Sequence, residues 1–177
     1  MDKSTITTVS LLRNEWIRTI SIQIFALLVI YLIPTLSHLS GIKLYLIEPM
    51  RLMVILAIAH SNKKNALLLA ITLPIFSYAI SMHPLVFKSL IICIELCSMV
   101  FLFYGLSKYM KFFPAILSAI IASKLLYYLL KIGLIQTSLL NDSLISTPIL
   151  IQLITTIVFS AYIWLFFRKQ TLKEPDL

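Results

Sequence analysis

The sequence predicts an all-α integral membrane protein with six transmembrane helices and both ends on the cytoplasmic side. Three observations lead there. The 177 residues are 60% hydrophobic, with a mean hydropathy of +0.98. Charged residues make up 12% of the chain, about half the share usual in a soluble domain. A soluble fold of this size would leave too much apolar surface against water, whereas lipid solvates it. With three glycines and no alternating apolar/polar segments, the chain suits helices rather than a transmembrane β-barrel.

The first apolar run, 16–37, follows Arg13 and is not succeeded by a small-x-small cleavage site, so it reads as a helix and not as a removed leader. Five further runs follow at 44–59, 66–82, 85–107, 112–131 and 144–167. The second and third are short against the roughly 17–25 residues usual for a span. His38-Leu39-Ser40-Gly41 breaks the chain after the first run, and the polar stretch from His60 to Asn65 breaks it after the second. His83-Pro84 separates the third and fourth, and Pro84, Pro114 and Pro148 each suit the first turn of the helix that follows. The longest connector, 132–143, carries Asn141-Asp142. No repeat and no long linker divides the chain, which reads as a single domain over residues 1–177.

Basic residues orient the runs. With the N-terminus inside, the inner segments hold Lys3, Arg13, Arg18, Lys63, Lys64, Lys108, Lys111, Arg168, Lys169 and Lys173. The outer ones hold Lys43, Lys88 and Lys131. Ten against three is a positive-inside pattern, and an even number of spans returns the C-terminus to the cytoplasm. The net charge of +8 is therefore topological. It forms no continuous basic face, and nucleic acid is not an expected partner.

Four ionisable residues fall inside apolar runs, where they usually face a cavity or one another. These are Glu48 and Arg51 in the second, Glu95 in the fourth and Lys124 in the fifth. Counting at the helical rise puts Arg51, Glu95 and Lys124 in one layer, roughly 10 Å below the outer surface, with Gln152 of the sixth run at similar depth. Lys124, Tyr127, Tyr128 and Lys131 form one stripe of the fifth helix, opposite Ala115, Ser118, Ala119 and Ala122. Two readings stay open. Glu95 and Lys124 form an ion pair that ties two helices, or the layer lines an outward-opening pocket for a small solute, with Tyr127 and Tyr128 as walls.

Catalytic and metal signatures are missing from the sequence. His38, His60 and His83 are scattered on both sides, and there is no His-x-x-x-His, Gly-x-Ser-x-Gly or phosphate-cradling glycine loop. Cys93 and Cys97 read as small hydrophobes in a helix interface. An enzyme, a metal site and a bound cofactor are not expected.

The run Glu48-Pro49-Met50-Arg51-Leu52-Met53-Val54 resembles the segment that opens helix 2 in substrate-binding S components of energy-coupling factor (ECF) transporters. Leu73-Pro74-Ile75-Phe76-Ser77-Tyr78 resembles their helix 3. Met82-His83-Pro84, Glu95-Leu96 and Tyr104-Gly105-Leu106 follow their helix 4, and Ala119 to Tyr127 is similar to their helix 5. The resemblance covers about residues 34–133. It implies a six-helix membrane subunit of the bacterial cytoplasmic (inner) membrane that captures a vitamin-like micronutrient on the outer side. Such a subunit docks on a transmembrane coupling subunit driven by two ABC ATPases, which hydrolyse the ATP. By the same resemblance Arg51, Glu95 and Lys124 shape the cavity, with the 38–43 loop as its lid; Glu48, Tyr78, Tyr128 and Gln152 complete the candidate substrate-binding residues. This chain begins Met1-Asp2-Lys3 where metal-carrying members begin Met-His, so the expected cargo is organic. The alternative is a non-transport membrane scaffold of the cell-shape type, in which the buried charges are structural.

Overall fold

The computed structural model describes the backbone of residues 3–81, 85–140, 142–145 and 147–171, and side chains within 16–80, 85–140, 142–145 and 147–168. His83-Pro84 and the inner-side Lys3, Arg13, Lys169 and Lys173 side chains lie outside these residues. Six α-helices and one short 3-10 helix are formed among the described residues.

α1 (Lys3–Ser40) has 38 residues, about 57 Å at the helical rise. A 3-10 helix (Leu44–Ile47) follows, then α2 (Pro49–His60), α3 (Lys63–Ser81), α4 (Val86–Leu106), α5 (Phe112–Gln136) and α6 (Ile149–Thr171). Four stretches are long and apolar enough to cross a bilayer: Trp16–Ser40, Val86–Leu106, Phe112–Gln136 and Ile149–Arg168. The outward surface of these helices is apolar, with Ile24, Leu28, Leu125, Leu129, Leu150 and Ile157 exposed, which lipid solvates and water does not.

The expected second span is the main correction. Residues 44–59 do not form one helix: the 3-10 turn stops at Ile47, and Glu48 takes a left-handed conformation (φ 55, ψ 59) before α2 begins. Pro49 is the cause, because its ring disfavours the right-handed helical region for the residue before it. As the first residue of α2 it is well placed, since its missing N–H would have had no helical partner. The chain uses both sides of the break. Glu48 N–H donates to the Tyr45 carbonyl (3.2 Å), and Glu48 O accepts from Leu52 N–H (3.1 Å).

What remains is a 12-residue α2, about 18 Å long and too short to cross a hydrocarbon core of about 30 Å. It sits at the centre of the bundle, packed against α1, α3, α4 and α6. Met53, Val54, Ile55, Ala57, Ile58 and Ala59 are all buried. α3 has 19 residues, about 28 Å, and opens on Lys63-Lys64. α6 starts at Ile149, later than expected, because the Pro148 carbonyl accepts the first helical hydrogen bond, from Gln152 N–H (3.2 Å).

Contacts between helix ends fix the arrangement. Thr19 of α1 and Ser61 after α2 approach to 3.4 Å, His60 meets Tyr162 of α6 at 2.7 Å, and Phe112 of α5 stacks on Phe167 of α6 at 4.5 Å. The Lys63 ammonium lies 5.0 Å over the Phe101 ring near the end of α4. Successive helices therefore alternate in direction. Arg18, Lys63, Lys64, Lys108, Lys111 and Arg168 gather at one end, which we call the basic end.

The small-residue stripe of α5 divides in two. Ala115 and Ala119 are fully buried, while Ser118 and Ala122 face outward. Ile116, Ile120 and Ser123 complete the buried face, and α4 and α6 pack on α5. A leucine at 119 would have to displace neighbours, which typically costs about 1–3 kcal/mol. Ala119→Leu should therefore lower the thermal unfolding midpoint in detergent, whereas Ala122→Leu on the outward face should leave it unchanged.

Candidate functional site

At the break before α2, four charged side chains meet. Glu48 projects from the left-handed junction and Arg51 from the first turn of α2. Glu95 comes from the buried face of α4 and Lys124 from the middle of α5. The Arg51 guanidinium donates through one terminal nitrogen to Glu48 and through the other to Glu95. Lys124 Nζ donates to the second Glu48 oxygen. Charges alternate along the chain Lys124–Glu48–Arg51–Glu95, and the group is neutral as a whole. Arg51 is 4% exposed and Glu95 6%, so removing either partner would leave an uncompensated buried charge.

The pairing differs from the expected one. Glu95 and Lys124 do not bind each other: Glu95 takes Arg51, and Lys124 takes Glu48. The break explains this. A continuous helix over 44–59 would carry Glu48 and Arg51 on one regular surface. The turn at Glu48 instead lets its carboxylate reach α5 and α2 together. One donor stays over, since Arg51 Nε is buried and has no acceptor among the described residues.

One turn along α5 from Lys124, the Tyr128 hydroxyl donates to Gln152 Oε1 of α6 (2.9 Å), and Gln152 Nε2 donates to the Thr147 carbonyl (2.7 Å). Tyr127 and Tyr128 meet edge to face, with centroids 5.5 Å apart. Arg51, Glu48, Glu95 and Lys124 are thus brought together, with Tyr128 and Gln152 bonded beside them. Tyr78 is not joined to the group. It lies half-buried on α3, which packs on α1, α2 and α4 and not on α5 or α6.

Beyond the tyrosines lies a second charged group that sequence reasoning missed. Asp142, in the connector after α5, binds Lys88 Nζ of α4 at 2.6 Å and Lys131 Nζ of α5 at 3.2 Å. Lys131 is fully buried, donates to the Ser143 carbonyl (2.7 Å) and lies 5.8 Å over the Tyr127 ring. The signal was present, because Asp142 is the one acid of the long connector. Burial alone would raise the Asp142 carboxyl, but the hydrogen bonds and charges of Lys88 and Lys131 outweigh it. They bring the value from the usual 3.8 down to about 2.

At the other end of α2, the chain leaves an open cleft of about 380 Å³ lined by Arg18, His60, Lys63, Tyr104, Phe166 and Phe167. The cavity and the neutral charge cluster therefore lie at opposite ends of the same short helix. Compared with family models, curated proteins and solved structures, the chain matches none of them.

Two outcomes follow from this geometry. Glu95→Ala leaves the buried guanidinium with one carboxylate and should cost about 3–5 kcal/mol of stability, read by unfolding in detergent. Lys124→Ala, at a more exposed position, should cost less. The Asp142 clamp has a pH window. Its folded value lies below the ordinary one, so its contribution is complete above about pH 4 and is lost as pH falls towards 2. Hydrogen exchange of the 137–145 connector should rise over that range, and Asp142→Asn should show the raised exchange already at pH 7.

Proposed function

We propose that this chain is a substrate-capture subunit of the ECF S-component kind, binding a small water-soluble micronutrient at the Glu48–Arg51–Glu95–Lys124 cluster. The observation that carries this reading is a neutral, closed cluster built on a break in a short central helix. Discontinuous helices at solute sites recur in membrane transporters, because irregular backbone is tolerated where protein or a cavity satisfies it. The four charges pair with one another. A solute carboxylate or phosphate takes the place of the Glu48 carboxylate on Arg51 and Lys124, and Arg51 Nε supplies a further donor. Glu95 keeps the guanidinium oriented, and Tyr128 with Gln152 forms the adjoining wall.

In this reading the basic end faces the bacterial cytoplasm, following the positive-inside pattern. The cluster then lies in the outer half, with both termini inside. The energising partners are a transmembrane coupling subunit and two ABC ATPases, and the chain itself carries no chemistry. A second reading is favoured by one observation: all four charges already satisfy one another at low exposure, as they would in a membrane scaffold that uses them only to hold α2 to α4 and α5.

Solute retention separates the two. Lys124→Ala should abolish retention of the copurifying solute while the protein still inserts and folds. Retention equal to wild type would overturn the capture role. A mild-detergent pull-down from native membranes should recover a polytopic subunit with two ABC ATPases. Recovery of cell-envelope assembly proteins alone would favour the scaffold.

A further inference from the structure

The two ends of α2 treat charge in opposite ways. Glu48, Glu95 and Asp142, the acids with described side chains, all lie at the end where α2 begins, and each is bound to a base. At the basic end, Arg18, Lys63, Lys64, Lys108, Lys111 and Arg168 have no ion pair among the described residues. A set of fixed positive charges without counter-charges among the described side chains attracts an anion.

The cleft at this end is shaped for more than a bare ion. Arg18 comes from α1, His60 is the last residue of α2 and Lys63 the first of α3. Tyr104 of α4 and Phe166 and Phe167 of α6 supply aromatic walls. Two of the polar groups are held in place. The His60 ring is bound to the Tyr162 hydroxyl at 2.7 Å and packs edge-on to Phe166 at 4.5 Å. The Lys63 stem is fixed by its ammonium over Phe101 at 5.0 Å and Tyr104 at 5.9 Å, leaving its N–H donors without a carboxylate. Arg18 is exposed, at the opening.

We infer that this cleft binds the phosphate of an anionic phospholipid, with Arg18 and Lys63 as the phosphate ligands, His60 beside them and the start of an acyl chain against Phe166 and Phe167. A phosphate with an apolar tail matches a cleft whose basic mouth adjoins aromatic walls at the end of helices long enough to span a bilayer. That end lies at headgroup depth. A soluble phosphate would use the cations and leave the aromatic walls without a function. The inference requires a membrane but not the solute-capture reading, so either can fail alone.

The test uses the full chain in nanodiscs of phosphatidylcholine with a minor fraction of phosphatidylglycerol, and counts lipids retained after delipidation by native mass spectrometry. Wild type should retain phosphatidylglycerol over phosphatidylcholine. Arg18→Gln with Lys63→Gln should lower that retention about tenfold or more, since each basic group near a phosphate contributes on the order of a tenfold preference or slightly less. Lys108→Gln with Lys111→Gln removes the same charge at the same end but outside the cleft, and should change retention less than about twofold, because a charge that makes no contact with the phosphate acts on it only through screening water and salt. Equal losses in the two double variants would reduce the effect to diffuse attraction and overturn the site. Retention of the two lipids in proportion to their supply would overturn it as well. Displacement of phosphatidylglycerol by excess inorganic phosphate would reassign the cleft to a soluble anion.

Discussion

A guanidinium buried to 4% exposure is the constraint around which the rest of the bundle is arranged. Isolated, the Arg51 charge would be prohibitively costly in an apolar interior, so two carboxylates must reach it from different parts of the chain. Glu95 does so from the buried face of α4. Glu48 does so because the backbone leaves the helix before Pro49, in a conformation that costs a non-glycine residue roughly 1–2 kcal/mol. The second Glu48 oxygen then draws in Lys124. One proline and one buried arginine thus bring three helices to a common point, and the shortness of α2 follows from the same break.

Neutrality is achieved pairwise at that point, whereas no ion pair forms among the described residues at the other end of α2. The clamp of Asp142 on Lys88 and Lys131 extends the paired region to the connector after α5, where two basic groups share one carboxylate. The basic end has cations and aromatic rings, with polar contacts such as Gln23 to Asn65 and Asn65 to Ser61 holding α1 to the start of α3. The two ends of the bundle are therefore chemically distinct. The core between them is a continuous apolar cluster that includes Val54, Ile55, Leu69, Leu73, Met99 and Phe103.

Much of this was legible in the residues. Long apolar runs with polar punctuation locate the long helices, but the run 44–59 holds a 3-10 turn and a 12-residue helix in place of one span, and the depth count for Arg51 passed over that break. Partner choice was not legible. Which acid takes which base depends on the direction of the chain at Glu48, and the Pro49 signal read as a helix start does not say that the preceding residues form a separate turn. Asp142 was passed over because a loop acid has no periodicity to place it. Tyr78 entered through resemblance alone, and α3 carries it away from the cluster. The stripe of small residues on α5 follows the helical period, but how much of it is covered depends on where α4 and α6 lie, which the period does not contain.

The break at Glu48 also bears on how the chain is made. α2 emerges from the ribosome carrying Arg51, a charge that opposes entry into the bilayer. Of its two carboxylates, Glu48 is made just before it, but Glu95 lies 44 residues after Arg51, and Lys124, the second partner of Glu48, lies 76 after Glu48. A segment of 12 residues cannot span while it waits. α2 therefore has reason to remain at the interface until α4 and α5 have been threaded, and to be drawn inward only when their charges arrive. The centre of the finished protein is then the last part of it to be assembled.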